Sequence, residues 1–279
     1  MSDQAVFFVT LVALSIPMVA VMWKWKLYEV PPAREEASLS LMTPLIGFLL
    51  FLGACAFVPS WTVKIIHYLD THGYSSFSQS EAFNFAQAMA IVVAFLLLLG
   101  FSRIHTIEIR KRIWGERSIL GSILKGILFC VIAYPIVMAI VQTIHMMAEF
   151  FGARPIHDQV AISQLKALQS YPWLFWSFAA AIVFIVPIVE EFLFRGLLQN
   201  YFTNFCSPRV AIGLSSLIFA FFHYSPVQGA TNIELLLGLF LYSFFIGTFY
   251  IRQASLWTPI AMHASFNALT IFILFFVIT

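Results

Sequence analysis

The sequence predicts an all-α fold, a polytopic transmembrane helical bundle of about eight transmembrane helices. Hydrophobic residues make up 61% of the 279 positions and charged residues only 10%, whereas soluble domains carry about 25% charged residues. Apolar runs of roughly 18 or more residues, long enough to cross a bilayer, recur along the chain. Because so few charges cannot cover such a chain in water, a single bundle in lipid is the simplest account.

Eight segments approach the roughly 20 apolar residues that one crossing requires. The first has no basic residue before it and is followed by Lys24 and Lys26, so it predicts a retained helix rather than a cleaved leader. The sixth is short. In chain order the predicted helices cover residues 5–23, 40–60, 82–102, 119–147, 173–198, 209–223, 234–251 and 257–278.

Positive charge is distributed unequally between alternate connections. The odd-numbered connections and their flanks hold eleven Lys and Arg residues and the even-numbered connections hold three. Because short cytoplasmic loops retain positive charge, both termini are predicted to face away from the cytoplasm. The eleven are Lys24, Lys26, Arg34, Arg103, Arg110, Lys111, Arg112, Arg117, Arg195, Arg209 and Arg252, and the three are Lys64, Arg154 and Lys166.

Charge and cysteine content exclude several classes. The net charge is only +2 and no large basic tract occurs, so no nucleic-acid partner is expected. Cys55, Cys130 and Cys206 are widely spaced in apolar surroundings, which predicts packing residues rather than a disulfide framework or a zinc-binding cluster. Segment 150–172 is polar enough to lie on the outer surface, and a functional lid is the alternative interpretation.

Ionisable residues inside the predicted helices indicate a functional site. On insertion scales a central charge costs about 2.5–3.5 kcal/mol, so two carboxylates and an arginine cost roughly 8 kcal/mol before they pair. A structural role, as a helix-to-helix hydrogen bond or a headgroup contact, is predicted only for His145. The residues that need a functional explanation are Glu190, Glu191, Arg195, His223 and His263.

The two adjacent glutamates are predicted to have different roles. Arg195 follows Glu191 by four positions and shares its helical face, so these two can pair. Glu190 lies about 140° round the helix from Arg195 and has no local cation, which suits it to accept a proton. Glu190 lies 13 residues before the end of the fifth helix at about residue 203, and His223 lies 14 residues after Arg209 at the start of the sixth. At about 1.5 Å per residue both are about 20 Å from the same side of the membrane, so they can face each other.

A second pair lies in the eighth segment. His263 and Asn267 are four residues apart, so their side chains share one helical face and can both donate to a single oxygen. Two donors aimed at one oxygen are typical of an oxyanion hole.

These residues resemble the CPBP family of intramembrane proteases, also called the type II CAAX prenyl endopeptidase or Abi family. The family pattern is Glu-Glu-x-x-x-Arg, then Phe-x-x-x-His, then His-x-x-x-Asn or Asp, each on its own transmembrane helix. The corresponding residues are Glu190-Glu191 with Arg195, Phe219 with His223, and His263 with Asn267. The resemblance covers about residues 173–270, so 173–279 are expected to form CPBP-like catalytic helices, whereas 1–172 carry no recognised motif.

The resemblance implies an endopeptidase that works inside the bilayer. Glu190 and His223 would activate a water, while His263 and Asn267 would stabilise the oxyanion. Glu191 belongs to the same catalytic motif, which Arg195 and Phe219 support. A membrane-associated peptide or protein, including a prenylated CAAX-type protein, is the expected substrate, and a bacterial or archaeal cell membrane the expected location.

Two other functions and one cofactor remain as alternatives. A non-catalytic CPBP-like immunity or scaffold protein would keep the fold without the reaction, and a proton or ion transporter would also use intramembrane carboxylates. No cofactor is favoured, because the His-Glu-x-x-His spacing of many zinc enzymes is absent. Zinc is the second choice, with Glu190, His223 and His263 as its three ligands.

Overall fold

The computed structural model describes residues 3–32, 38–74, 77–150, 160–229 and 231–276. Within these ranges the chain is helical and has no strand, which confirms the all-α prediction. The helices are α1 (Asp3–Lys24), α2 (Met42–Thr71), α3 (Gln79–Arg103), α4 (Ile107–Trp114), α5 (Ile119–Phe150), α6 (Val160–Ala167), α7 (Pro172–Phe202), α8 (Pro208–Phe221), α9 (Thr231–Gln253) and α10 (Trp257–Phe276).

Seven of the described helices are long and apolar enough to cross a membrane, namely α1, α2, α3, α5, α7, α9 and α10. The protein is therefore a multi-pass integral membrane protein. The sixth predicted segment corresponds to α8, which has only 14 residues. At about 1.5 Å per residue α8 is about 21 Å long, shorter than the roughly 30 Å hydrocarbon layer.

The end of α8 differs from the predicted segment 209–223. The helix ends at Phe221, so His223 lies in the turn after it and the prediction that His223 is helical is wrong. The last turn tightens, because the backbone N–H of His223 donates to the carbonyl of Ala220 rather than to that of Phe219. The carbonyl of Phe219 is thereby left for a side-chain donor.

Connections that are distant in sequence meet at one end of the bundle. The guanidinium of Arg252 donates to the carbonyls of Lys26 and Glu29, and that of Arg112 donates to the carbonyl of Asn200 at 2.8 Å. We call this end, where α1, α3, α7 and α9 finish, the basic end. The odd-numbered connections therefore lie together, whereas the side of the membrane that they face remains a prediction.

Helix α4 lies across the basic end. Thr106 caps its N-terminus, because the Thr106 hydroxyl accepts a hydrogen bond from the N–H of Ile109. Gly115 follows its last residue and has a φ of +77°. A Cβ at Gly115 would collide with the backbone carbonyl of Ala254. Glycine is required there both by the left-handed backbone and by this close approach.

Helix α7 is the central helix of the bundle and contacts α2, α3, α4, α8, α9 and α10. Leu193 and Leu197 on its surface have no solvent exposure. Two of its segments, Ala181–Ile185 and Phe192–Gln199, are π-helical and flank an α-helical stretch at Val186–Glu191. Segments of π-helix are frequent at functional sites, because the extra residue re-aims neighbouring side chains.

The surface segment predicted at 150–172 is described only in part. Residues 151–159, which include Arg154, lie outside the described ranges, as does Arg34, so the lid interpretation stays untested. Beyond the gap, Val160–Ala167 forms α6, and Leu165 is completely buried against Phe175 and Phe178 of α7.

Candidate active site

A buried ion pair lies on α7 at the centre of the bundle. Nη1 of Arg195 is 3.0 Å from Oε1 of Glu191, and both side chains are at most 1% exposed. The pairing predicted from the four-residue spacing is therefore present. Nη2 of Arg195 donates to the hydroxyl of Ser243 at 2.6 Å and to its carbonyl at 3.0 Å, so α9 also binds this guanidinium.

His263 joins the same buried group from α10. Its Nδ1 lies 2.7 Å from Oε1 of Glu191. A carboxylate can only accept, so the proton of this hydrogen bond is on Nδ1. Glu191 thus orients the imidazole, and Nε2 of His263 is directed towards Glu190.

Glu190 lies between the two histidines. Its Oε1 is 3.9 Å from Nε2 of His223, and its Oε2 is 3.8 Å from Nε2 of His263. Both distances exceed a direct hydrogen bond, and a water or substrate atom beside either pair could hydrogen-bond to both of its members. Oε2 of Glu190 is buried and makes no hydrogen bond to the described part of the protein.

The orientation of His223 follows from the way α8 ends. Its Nδ1 lies 2.9 Å from the free carbonyl of Phe219, so Nδ1 carries the proton and donates it to that oxygen. In the neutral ring Nε2 is then an acceptor and faces Glu190. His223 thus faces Glu190 from the turn after α8, a position that the sequence did not predict.

Phe219 separates the buried cation from the histidines. The guanidinium of Arg195 lies 4.9 Å from the centre of its ring, a distance at which cation–π attraction operates. The ring centres of His223 and His263 are 4.8 and 5.9 Å from that of Phe219. This phenylalanine holds the three groups apart at fixed spacing.

Asn267 is anchored to the first π-helical segment of α7. Its side-chain amide donates to the carbonyl of Ile182 at 2.9 Å. A π-helical turn changes which carbonyls are used within the helix, and Asn267 bonds to one of them. The amide has two N–H groups, so one remains for another acceptor.

A cavity of about 600 Å³ connects these side chains. Glu190, His223, His263 and Asn267 all lie on its wall, whereas Glu191 and Arg195 lie behind it. The structure therefore brings all of the predicted site residues to one cavity or directly behind it. Two contacts of the site were not predicted from the sequence, namely Ser243 with Arg195 and the carbonyl of Ile182 with Asn267. Glu234, which lies on another part of the cavity wall, was not predicted either.

The match to a known family covers the part of the chain that holds this cavity's polar groups. Residues 172–269 match the family model described as type II CAAX prenyl endopeptidase Rce1-like. This confirms the resemblance drawn from the three motifs. The Rce1-like region begins with α7, ends two residues after Asn267, and spans 98 of the 279 positions. Comparisons with curated proteins and with solved structures found no match.

Among the described residues, no group of three or more His, Cys, Asp or Glu side chains is placed to hold a metal ion. Cys55, Cys130 and Cys206 are all free thiols, and Cys130 is buried. The choice between a metal-free reaction and one that uses zinc on Glu190, His223 and His263 remains a prediction.

Proposed function

We propose that the protein is an intramembrane endopeptidase that hydrolyses a peptide bond of a membrane-associated protein or peptide. The observation that supports this most strongly is the position of Glu190, a carboxylate between two imidazole Nε2 atoms at 3.8 and 3.9 Å on a cavity wall. Prenylated CAAX-type proteins belong to the proposed substrates because the matched family is named for them.

The attacking water is bound by Glu190 and His223 together. Both groups accept hydrogen bonds, so the two protons of the water point at Oε1 of Glu190 and Nε2 of His223, and its lone pair is left for the substrate carbonyl carbon. Glu190 takes a proton as the C–O bond forms. It then delivers that proton to the leaving amine as the C–N bond breaks.

The developing oxyanion is held on the opposite side by His263 and Asn267. His263 can donate from Nε2 only when both ring nitrogens carry protons. The carboxylates of Glu191 and Glu190 stabilise this cationic ring, since they lie 2.7 and 3.8 Å from its nitrogens. The second N–H of Asn267 is the other donor, and its first, bonded to Ile182, fixes the direction of the amide.

Arg195 stabilises the charge of Glu191 without reaching the cavity. An uncompensated charge at this depth would cost several kcal/mol. Arg195 and Ser243 therefore act as positioning residues behind His263, and Phe219 keeps the guanidinium away from the reacting groups.

The test compares cells that carry the wild type with cells that carry Glu190→Gln. Membrane proteins and released peptides are identified by mass spectrometry, and a product that disappears with the isosteric amide identifies the substrate. Arg209→Gln, at the basic end and away from the cavity, is the matched control. If the two product sets are identical although both proteins accumulate equally, the protein acts as a non-catalytic scaffold instead.

A further inference from the structure

The catalytic cavity has a second glutamate, on the part of its wall that α5 and α9 form. Glu234, in the first turn of α9, lines the cavity that also contains Glu190. Its side chain is 16% exposed, and its Oε2 lies 3.0 Å from Nδ1 of His145 on α5. Nε2 of the same imidazole lies 3.3 Å from Glu149. The helix-to-helix hydrogen bond predicted for His145 is therefore confirmed, and it holds Glu234 against the cavity.

Glu149, His145 and Glu234 together carry a net negative charge when both carboxylates are ionised, because His145 can supply at most one positive charge. Glu234 is the member of this group that lines the cavity. Among the described residues that line the cavity there is no Lys or Arg. Since charges interact more strongly away from bulk water, a cationic group of a substrate would be attracted to Glu234.

The separation between Glu234 and Glu190 along the helix axes follows from the register of α7 and α9. Arg195 bonds to Ser243 and Gln199 bonds to Gly247, both across an interval of 48 residues, so the two helices run in the same direction with a constant offset. The same offset puts Glu190 level with Gly238, one turn from Glu234. Four residues of helix correspond to about 6 Å, which an extended peptide covers in about two residues.

We propose that Glu234 is a specificity-determining residue that binds a Lys or Arg side chain of the substrate about two residues from the scissile bond. This inference rests on the proposed endopeptidase function and names the substrates that it prefers. The basic side chain approaches along the cavity and shares Glu234 with His145. A neutral side chain leaves the carboxylate with His145 alone and gains no charged hydrogen bond.

The cleavage experiment uses the full-length protein in lipid vesicles and a membrane-anchored peptide mixture randomised around its centre. In the wild type, products with Lys or Arg two residues from the cut should be enriched about tenfold or more over those with Gln, the factor typical of a charged hydrogen bond. Glu234→Gln should abolish the enrichment but keep the cleavage of neutral sequences. Its amide oxygen can still accept from His145, so thermal stability should not change. Glu116→Gln, at the basic end, should keep the wild-type preference.

A binding experiment separates the two ways in which the inference can fail. In Glu190→Gln protein, a peptide with a central Lys should bind about tenfold more tightly than its norleucine analogue, and adding Glu234→Gln should remove that difference. Equal binding of the two peptides, or a preference that survives Glu234→Gln, overturns the subsite and leaves the endopeptidase intact. Absence of Glu190-dependent cleavage overturns the proposed function, and the subsite then stands only if the binding difference is found.

Discussion

His263 and Glu191 form a hydrogen bond of 2.7 Å between α10 and α7, at a point where the carboxylate has no solvent exposure. The same carboxylate oxygen accepts from Arg195 at 3.0 Å. Glu191 therefore links the histidine of the cavity to the cation behind it. This relationship gives the two neighbouring glutamates separate roles, since Glu190 faces the cavity and makes no such bond.

Glu191→Gln is expected to impair both folding and activity, whereas Glu190→Gln is expected to abolish activity without impairing folding. Removing one partner of a buried ion pair costs about 3–5 kcal/mol, because Arg195 would remain charged without its carboxylate. We expect a clear fall in the thermal unfolding temperature of the purified protein for Glu191→Gln and little change for Glu190→Gln. Equal unfolding temperatures for the two variants would contradict the separate roles.

Asn267→Ala is expected to lower turnover by about a hundredfold or more, as the loss of one oxyanion donor does in other enzymes. The variant also loses the hydrogen bond to Ile182, which is worth about 1 kcal/mol, so stability should fall only slightly. Single-turnover kinetics on the product identified with Glu190→Gln would measure the effect. Wild-type turnover would show that Asn267 only bridges two helices.

Some of the site could be predicted because it depends on spacing along a single helix. Glu191 and Arg195 are four residues apart and pair as expected, and the two histidine motifs reach the same cavity. The bond between Glu191 and His263 joins residues 72 positions apart, and no local pattern encodes it. The spacing therefore predicts the pairing of Glu191 with Arg195 but not its bond to His263.

The position of His223 could not be predicted for a different reason. The apolar run continues through Phe221 and Phe222, so hydropathy alone extends the helix to His223. The chain leaves the helix because later groups stabilise the turn, notably Asn232, whose side chain accepts from the N–H of Ser225 and donates to its carbonyl at 2.7 Å. The π-helical segments of α7 could not be predicted from hydrophobic periodicity either, since they depend on packing against neighbouring helices.

The sidedness of the protein can be tested independently of its activity. The basic end holds most of the Lys and Arg residues, and cytoplasmic connections retain positive charge, so Met1 and Thr279 are both predicted to face away from the cytoplasm. Fusions to a reporter that is active only in the cytoplasm should be silent at either terminus. A fusion within the 103–117 connection should be active, and the reverse result would invert the topology.

The last prediction concerns metal. Nδ1 of His263 is occupied by Glu191, so Nε2 is the nitrogen left either to bind zinc or to donate to the oxyanion, and it cannot do both. The arrangement with Asn267 favours donation, and we predict a metal-free reaction in which Glu190 accepts the proton of a water held by His223. Purified protein should then contain less than stoichiometric zinc by elemental analysis.

The second part of this test measures activity in the presence of metal chelators. Activity should persist in EDTA and phenanthroline, because neither removes a group that the reaction uses, and Glu190→Gln should be inactive under the same conditions. Stoichiometric zinc whose removal stops the reaction and whose return restores it would make Glu190, His223 and His263 metal ligands. The oxyanion would then be stabilised by the metal and Asn267, so Asn267→Ala should cost less than the hundredfold expected of a metal-free site.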